Sequence, residues 1–296
     1  MRVTWAVIAA SAMVLCAVQA AQSQGGWIRK QGEVFAKLGV STLSTNKTYN
    51  EFGTGSEMSR YNLTTVTGYS EWGIGSSMML VADLQLLRIN QFDGFGASAG
   101  PGDMTLGVRY GVAGGDWPIS VGIAADLPTG DPSAQAAPVG VTAPAMMPVP
   151  RGDGELNVWL SGGVSHSFWP VEAYVSADVA YSVRGIATRE FVRLFNDGHF
   201  TNQYRVSVKA GYKLLPEMWA SLAIYQLGNA GAIQSTSFAA LGFGEGVAFT
   251  AWDLGVAYDV GDITLTLNGS TAFFAPKNIF GGMQILVGVA TTFGGE

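Results

Sequence analysis

Ten charged residues stand at alternating positions within otherwise apolar or small-residue stretches: Asp83, Asp103, Arg109, Asp126, Glu155, Asp178, Arg184, Arg205, Lys209 and Asp253. Glu33, Lys37 and Glu172 follow the same rule. In a period-two segment neighbouring residues face opposite ways. Each of these charges therefore lies opposite a face of Val, Leu, Ile, Ala or Tyr. On the inside of a closed sheet, mixed charges of this kind either pair and brace the interior or line a path that selects solutes by charge.

Other chemistry is thinly supplied. Lipid hydrolysis on an outer-membrane strand calls for a His and a Ser two apart on the lipid face. His166 has the outward parity, but Phe168 stands two residues on, and Ser165 and Ser167 face the other way. His199 falls in a loop with no nucleophile paired to it. The chain is accordingly expected not to be an enzyme, and no metal or cofactor is called for. Asp126, Asp131 and Asp153 could hold Ca²⁺ at the loop bases, but acidic turn residues more often cap or face water.

One loop, residues 128–152, is apolar where solvated loops are not: it carries Val139, Val141, Met146, Met147 and Val149, spaced by Pro and Gly. These side chains need a dry surface, and Met makes adaptable contacts. The loop is a candidate lid over a narrow lumen lined by Arg109, Asp126, Asp178 and Arg205.

The elements that must position these groups are strands. Residues 102–131 set the pattern, with Met104, Leu106, Val108, Tyr110 and Val112 on one face. A Gly114-Gly115-Asp116 turn follows, and then Trp117, Ile119, Val121, Ile123 and Ala125 continue that face. This is a hairpin whose arms run to about ten residues, the length a tilted strand needs to cross a bilayer. The same alternation recurs at 33–41, 61–72, 78–87, 153–166, 171–184, 203–214, 218–227, 249–260, 263–272 and 283–293. On 61–72 the parity is ambiguous, with Tyr61, Leu63 and Tyr69 as the expected outward set. Long loops are expected at 42–60, 90–102, 128–152 and 185–200.

About twelve strands, short and long connections in alternation, and aromatics beside the short turns give an all-β fold. It is read as a single up-and-down transmembrane barrel spanning 33–293, with both ends on the periplasmic side. A secreted soluble sandwich is the bland alternative, since it too alternates. Twelve strands lie between the side-chain-filled barrel of eight and the open pore of sixteen, so a narrow lumen is expected.

The N-terminus supports secretion. Arg2 precedes an apolar run from Val3 to Val18, and small residues precede Ala21, so residues 1–20 read as a cleaved signal peptide and 21–32 as a periplasmic lead-in. The single cysteine, Cys16, lies in that leader. Without Arg2, fifteen Lys and Arg face twenty-two Asp and Glu, and this acidic balance argues against nucleic acid as a partner. Expected partners are outer-membrane lipid, a small-molecule solute and the barrel-insertion machinery, the last suggested by Phe293 near the chain end.

Gly102-Asp103 opening a strand, Arg109-Tyr110, and above all Asp126-Leu127-Pro128-Thr129-Gly130-Asp131 resemble a bacterial outer-membrane family named after a "MetA" pathway of phenol degradation. Lys30-Gln31-Gly32-Glu33 and Gly152-Asp153-Gly154-Glu155 fit it as well. The resemblance covers most of the chain after the leader. It implies a porin-like transport barrel of the Gram-negative outer membrane, passing small hydrophobic or aromatic compounds by passive diffusion. The alternatives are a structural or adhesive barrel with a closed lumen and, third, a lipid-modifying enzyme.

Overall fold

Alternating apolar residues that must meet lipid on one side and water or protein on the other leave the backbone one solution in a bilayer, a sheet closed on itself. In the computed structural model, which describes residues 25–140, 146–189, 200–232, 239–240 and 243–295, twelve antiparallel strands close in this way. They are β1 (Val34–Tyr49), β2 (Gly55–Gly73), β3 (Met78–Phe92), β4 (Met104–Ala113), β5 (Ile119–Leu127) and β6 (Glu155–Ser167). The ring continues with β7 (Ala173–Thr188), β8 (Gln203–Leu215), β9 (Met218–Asn229), β10 (Ala248–Val260), β11 (Ile263–Lys277) and β12 (Gln284–Phe293). Each strand pairs with its sequence neighbours, and β12 closes the ring on β1 from Val34↔Phe293 to Thr42↔Ile285. The expected leader, Val141 and His199 lie outside the described residues.

The outer surface carries the apolar parity. Val121, Val179, Val208 and Leu265 are each about half exposed, whereas their inward neighbours Ser120, Ser182 and Ser207 are buried. Trp72, Tyr110, Trp117, Phe168, Tyr212 and Tyr258 form an exposed aromatic belt at the short-turn end, as expected at a membrane–water interface. Gly115 and Gly261 make the left-handed positions of two of those turns, at φ 78° and 61°.

At the opposite end the structure departs from the expected pattern. The stretch 42–60 is not a long loop: β1 runs on to Tyr49, β2 starts at Gly55, and only residues 50–54 turn. Tyr61, Leu63 and Tyr69 face inward and are buried, not outward. The inward placement of Tyr61 and Leu63 has a physical reason. This end is packed by protein rather than filled with water, so the apolar face belongs inside.

A bulge makes a similar change in β3. Val66 pairs with Leu87 but Thr67 pairs with Gln85, so one extra residue is accommodated at Leu86. Inward parity passes from Asp83 and Gln85 to Arg88, Asn90 and Phe92. The expected loop at 90–102 is accordingly shorter, with Ala97–Gly100 pairing back onto β3.

Candidate functional site

The lumen is built in three levels. At the mouth, Leu43, Tyr61, Leu63 and Phe92 from β1–β3 and Phe280 from the last loop form one buried cluster with Ala136 and Val149 of the 128–152 loop. Tyr61 stacks on Phe280 at 4.4 Å and tilts against Phe92 at 4.9 Å between ring centroids. Such ring pairs add about 0.5–1.5 kcal/mol beyond the area they bury. The loop itself is a small hairpin, Gln135–Ala136 against Met147–Pro148, closed by Val149 N–H donating to Ala134 O at 2.8 Å. It is tied to the β3–β4 connection by Gly96 N–H to Ala137 O and Val139 N–H to Gly94 O, both 2.8 Å. Of the five lid residues read from sequence, Val149 is fully buried and Met147 is packed on the cluster, while Val139 and Met146 remain exposed.

Polar side chains pin this loop to the wall. Asn90 donates to Pro150 O at 3.0 Å and accepts from the Tyr61 hydroxyl at 2.6 Å and from Arg88 Nε at 3.1 Å. Asp103 accepts the main-chain N–H of Gly130 and of Asp153, both at 2.9 Å, so it holds both ends of the loop. Thr129 Oγ1 donates to Gly102 O at 2.6 Å. Gly152 is required here, because a Cβ would lie 2.2 Å from the Asp103 carboxylate. Asp131 pairs with Arg151 at 3.5 Å. Partial burial works against its charge, but Ser133 hydrogen bonds and the Arg151 and Arg189 charges outweigh that and hold its carboxyl below the usual range.

The middle level carries the predicted charges. Asp126 accepts from Thr105 Oγ1 and from Trp159 Nε1, each at 2.6 Å, and Arg205 lies over the Trp159 ring at 5.3 Å. Arg184 bridges Asp153 at 2.7 Å and the fully buried Glu155 at 3.2 Å. Asp253 accepts from Asn268 at 2.8 Å. Among the described residues Asp83, Arg205 and Lys209 make no ion pair within 4.0 Å. The inward charges thus divide: some brace the wall through ion pairs and hydrogen bonds, while Asp83, Arg205 and Lys209 form no such pair among the described residues. Trp159 packs on a second buried cluster of Leu227, Val247, Phe249, Ala251 and Ile279, with Tyr225 against Phe249.

The third level is a strap that no alternation pattern announces. The lead-in from Gly25 to Gln31 does not trail away; it enters the short-turn end of the barrel. Gly25 N–H donates to Asp178 at 3.0 Å and Gly26 N–H to Ser165 Oγ at 2.8 Å. Arg109 Nη2 and Ser120 Oγ donate to Gly25 O at 2.7 and 2.9 Å. The same Arg109 Nη2 pairs with Asp178 at 3.1 Å. Trp27 meets Tyr174 edge-on at 5.7 Å. Farther along, Arg29 bridges Glu71 at 2.5 Å and Glu33 at 2.8 Å, and Gly32 N–H donates to Gly73 O at 2.8 Å. Burial opposes the Arg29 charge, but the two carboxylates outweigh it and raise its pKa.

Sequence reading missed Tyr61, Arg88, Asn90, Phe92 and Phe280, together with Gly25 and Gly26. The bulge at Leu86 hid the residues on β3, and the strap has no period to detect. No group of three or more His, Cys, Asp or Glu that could hold a metal is found among the described residues.

No family model matches the chain, and a search of curated proteins finds no match. Solved structures do match. The COG4313 outer membrane channel from Pseudomonas putida F1 aligns over 90% of this chain and 98% of its own, with a TM-score of 0.62 at 12% identity. The translocator domain of autotransporter NalP from Neisseria meningitidis aligns over 90% of each chain, with a TM-score of 0.52 at 12% identity. At such identity the likeness is one of fold, and the fold is a transmembrane β-barrel.

Proposed function

We propose that the protein is a channel of the bacterial outer membrane, delivered by its signal peptide, that passes small hydrophobic or aromatic molecules by passive diffusion. The carrying observation is the ring-lined mouth. Tyr61, Phe92 and Phe280 face inward where a water-filled porin would place polar groups, and the lid seats Val149 on the same cluster. Uncovered when the loop lifts, these rings offer an apolar solute roughly 25 cal/mol per Å² removed from water. Two further points support the reading. The first is the resemblance to the phenol-degradation outer-membrane family. The second is the likeness in fold to the COG4313 outer membrane channel.

The test is swelling of proteoliposomes in phenyl glucoside and in methyl glucoside, which differ only in the apolar group. Phenyl glucoside is expected to enter faster than its size alone allows, and deletion of residues 134–149 should raise entry of both several-fold. Equal or slower entry of phenyl glucoside would remove the apolar-solute reading. The alternative of a closed structural barrel is favoured by the covers at both ends of the lumen. It would be recognised by the absence of flux in every variant.

A further inference from the structure

We infer that residues 25–31 form a displaceable gate at the periplasmic end, so that a solute leaves the barrel only when this strap swings aside. The inference rests on the channel reading. From β1–β2, where Gly32 is bonded to Gly73, the strap reaches β7, where Gly25, the first described residue, meets Asp178. In a ring of twelve, β7 is six strands from β1 and so stands on the opposite wall. Seven extended residues reach about 23–25 Å. On the way it passes Gly111 of β4 and Pro118 just before β5, so the strap spans the short-turn end of the barrel from β2 to β7.

Its seat is made for a chain with no side chains. A Cβ on Gly26 would stand 1.6 Å from Pro118 O, and one on Gly25 would stand 1.9 Å from Ser165 Oγ, with Gly25 also at φ 60°. At Gly25 and Gly26 only main chain enters, held by hydrogen bonds; the strap's apolar contacts are limited to Ile28 beside Gly111 and to Trp27, which meets Tyr174 edge-on and stays 37% exposed. A permanent floor would be stapled by buried apolar side chains. This one also leaves its seat intact on departure. Arg109 and Asp178 remain paired with each other, Ser120 keeps its bonds to Arg109, and the lumen readmits water to Ser165. The Arg29 pairs with Glu71 and Glu33 sit at the hinge end, beside the Gly32–Gly73 bond, so a swing of the Gly25–Ile28 end alone leaves every charge paired and is reversible.

The geometry also supplies a lock. The Cβ of Ile28 lies 3.9 Å from the position a Cβ would take on Gly111, within the span of a disulfide. The only native cysteine is Cys16, in the expected leader. Single-channel conductance would be recorded in planar bilayers for wild type, for Ile28→Cys/Gly111→Cys oxidised and reduced, and for Gly26→Leu. A variant lacking residues 25–31 would be recorded alongside, and heat-modifiability on gels would confirm each barrel as folded. The oxidised pair should sit closed, reductant should restore wild-type openings, and Gly26→Leu and the deletion should raise the open fraction several-fold. Equal conductance in oxidised and reduced pairs, or wild-type behaviour in both Gly26→Leu and the deletion, would overturn the gate. If deletion of residues 134–149 raises flux while the strap variants change nothing, the gate falls and the channel stands. If no flux appears with both segments removed, the channel reading falls and takes the gate with it.

Discussion

The Asp103 carboxylate accepts the main-chain N–H of Asp153 at 2.9 Å across fifty residues of sequence, while its other oxygen accepts that of Gly130. Both ends of the 128–152 loop thus hang on one side chain at the start of β4. Asp103→Ala would leave both part-buried donors without their acceptor, at about 1 kcal/mol each. The loop base should loosen while the barrel stays folded. Limited proteolysis of the purified barrel should then cut between residues 131 and 151, where wild type resists, and conductance should rise. An unchanged cleavage pattern would show that the Val149 cluster alone holds the lid.

Neighbouring residues on β8 should respond oppositely to charge. Val208 faces lipid and Lys209 faces the lumen. Val208→Arg should cost roughly 2–4 kcal/mol near the bilayer midplane, and Lys209→Ala about 1 kcal/mol or less, since it breaks no ion pair. Urea unfolding from liposomes measures both. Similar costs at the two positions would contradict the register.

Membrane orientation can be read with cysteines in the turns. Phe52, 78% exposed in the 50–54 turn, should label with a membrane-impermeant maleimide on intact cells as Phe52→Cys. Asp116→Cys and Asp262→Cys, in short turns at the other end, should label only after lysis. The reverse pattern would invert the barrel, and labelling at all three positions on intact cells would deny the membrane.

Period two was enough to specify most of the fold. Alternation on β4–β8 and β10 leaves one register in which Arg109, Asp126, Asp178 and Arg205 avoid lipid, because a one-residue slip exchanges every side chain between faces. The inward charges follow from that rule, and strand length, the alternation of short and long connections and the aromatics beside the short turns add the ring of twelve and its belt. The packing of Val149 and Met147 was legible too, since they had no reason to face water, whereas Val139 and Met146 stay exposed. Two things belonged to the tertiary structure. One was the inward side of Tyr61 and Leu63, set by a mouth packed with protein instead of water, and of Phe92, set by the bulge at Leu86. The other was the path of Gly25–Gln31 across the short-turn end, for a pair of glycines carries no period and no hydrophobic face. Its place is decided by hydrogen-bonding groups from β4 to β7 that meet only once the barrel has closed.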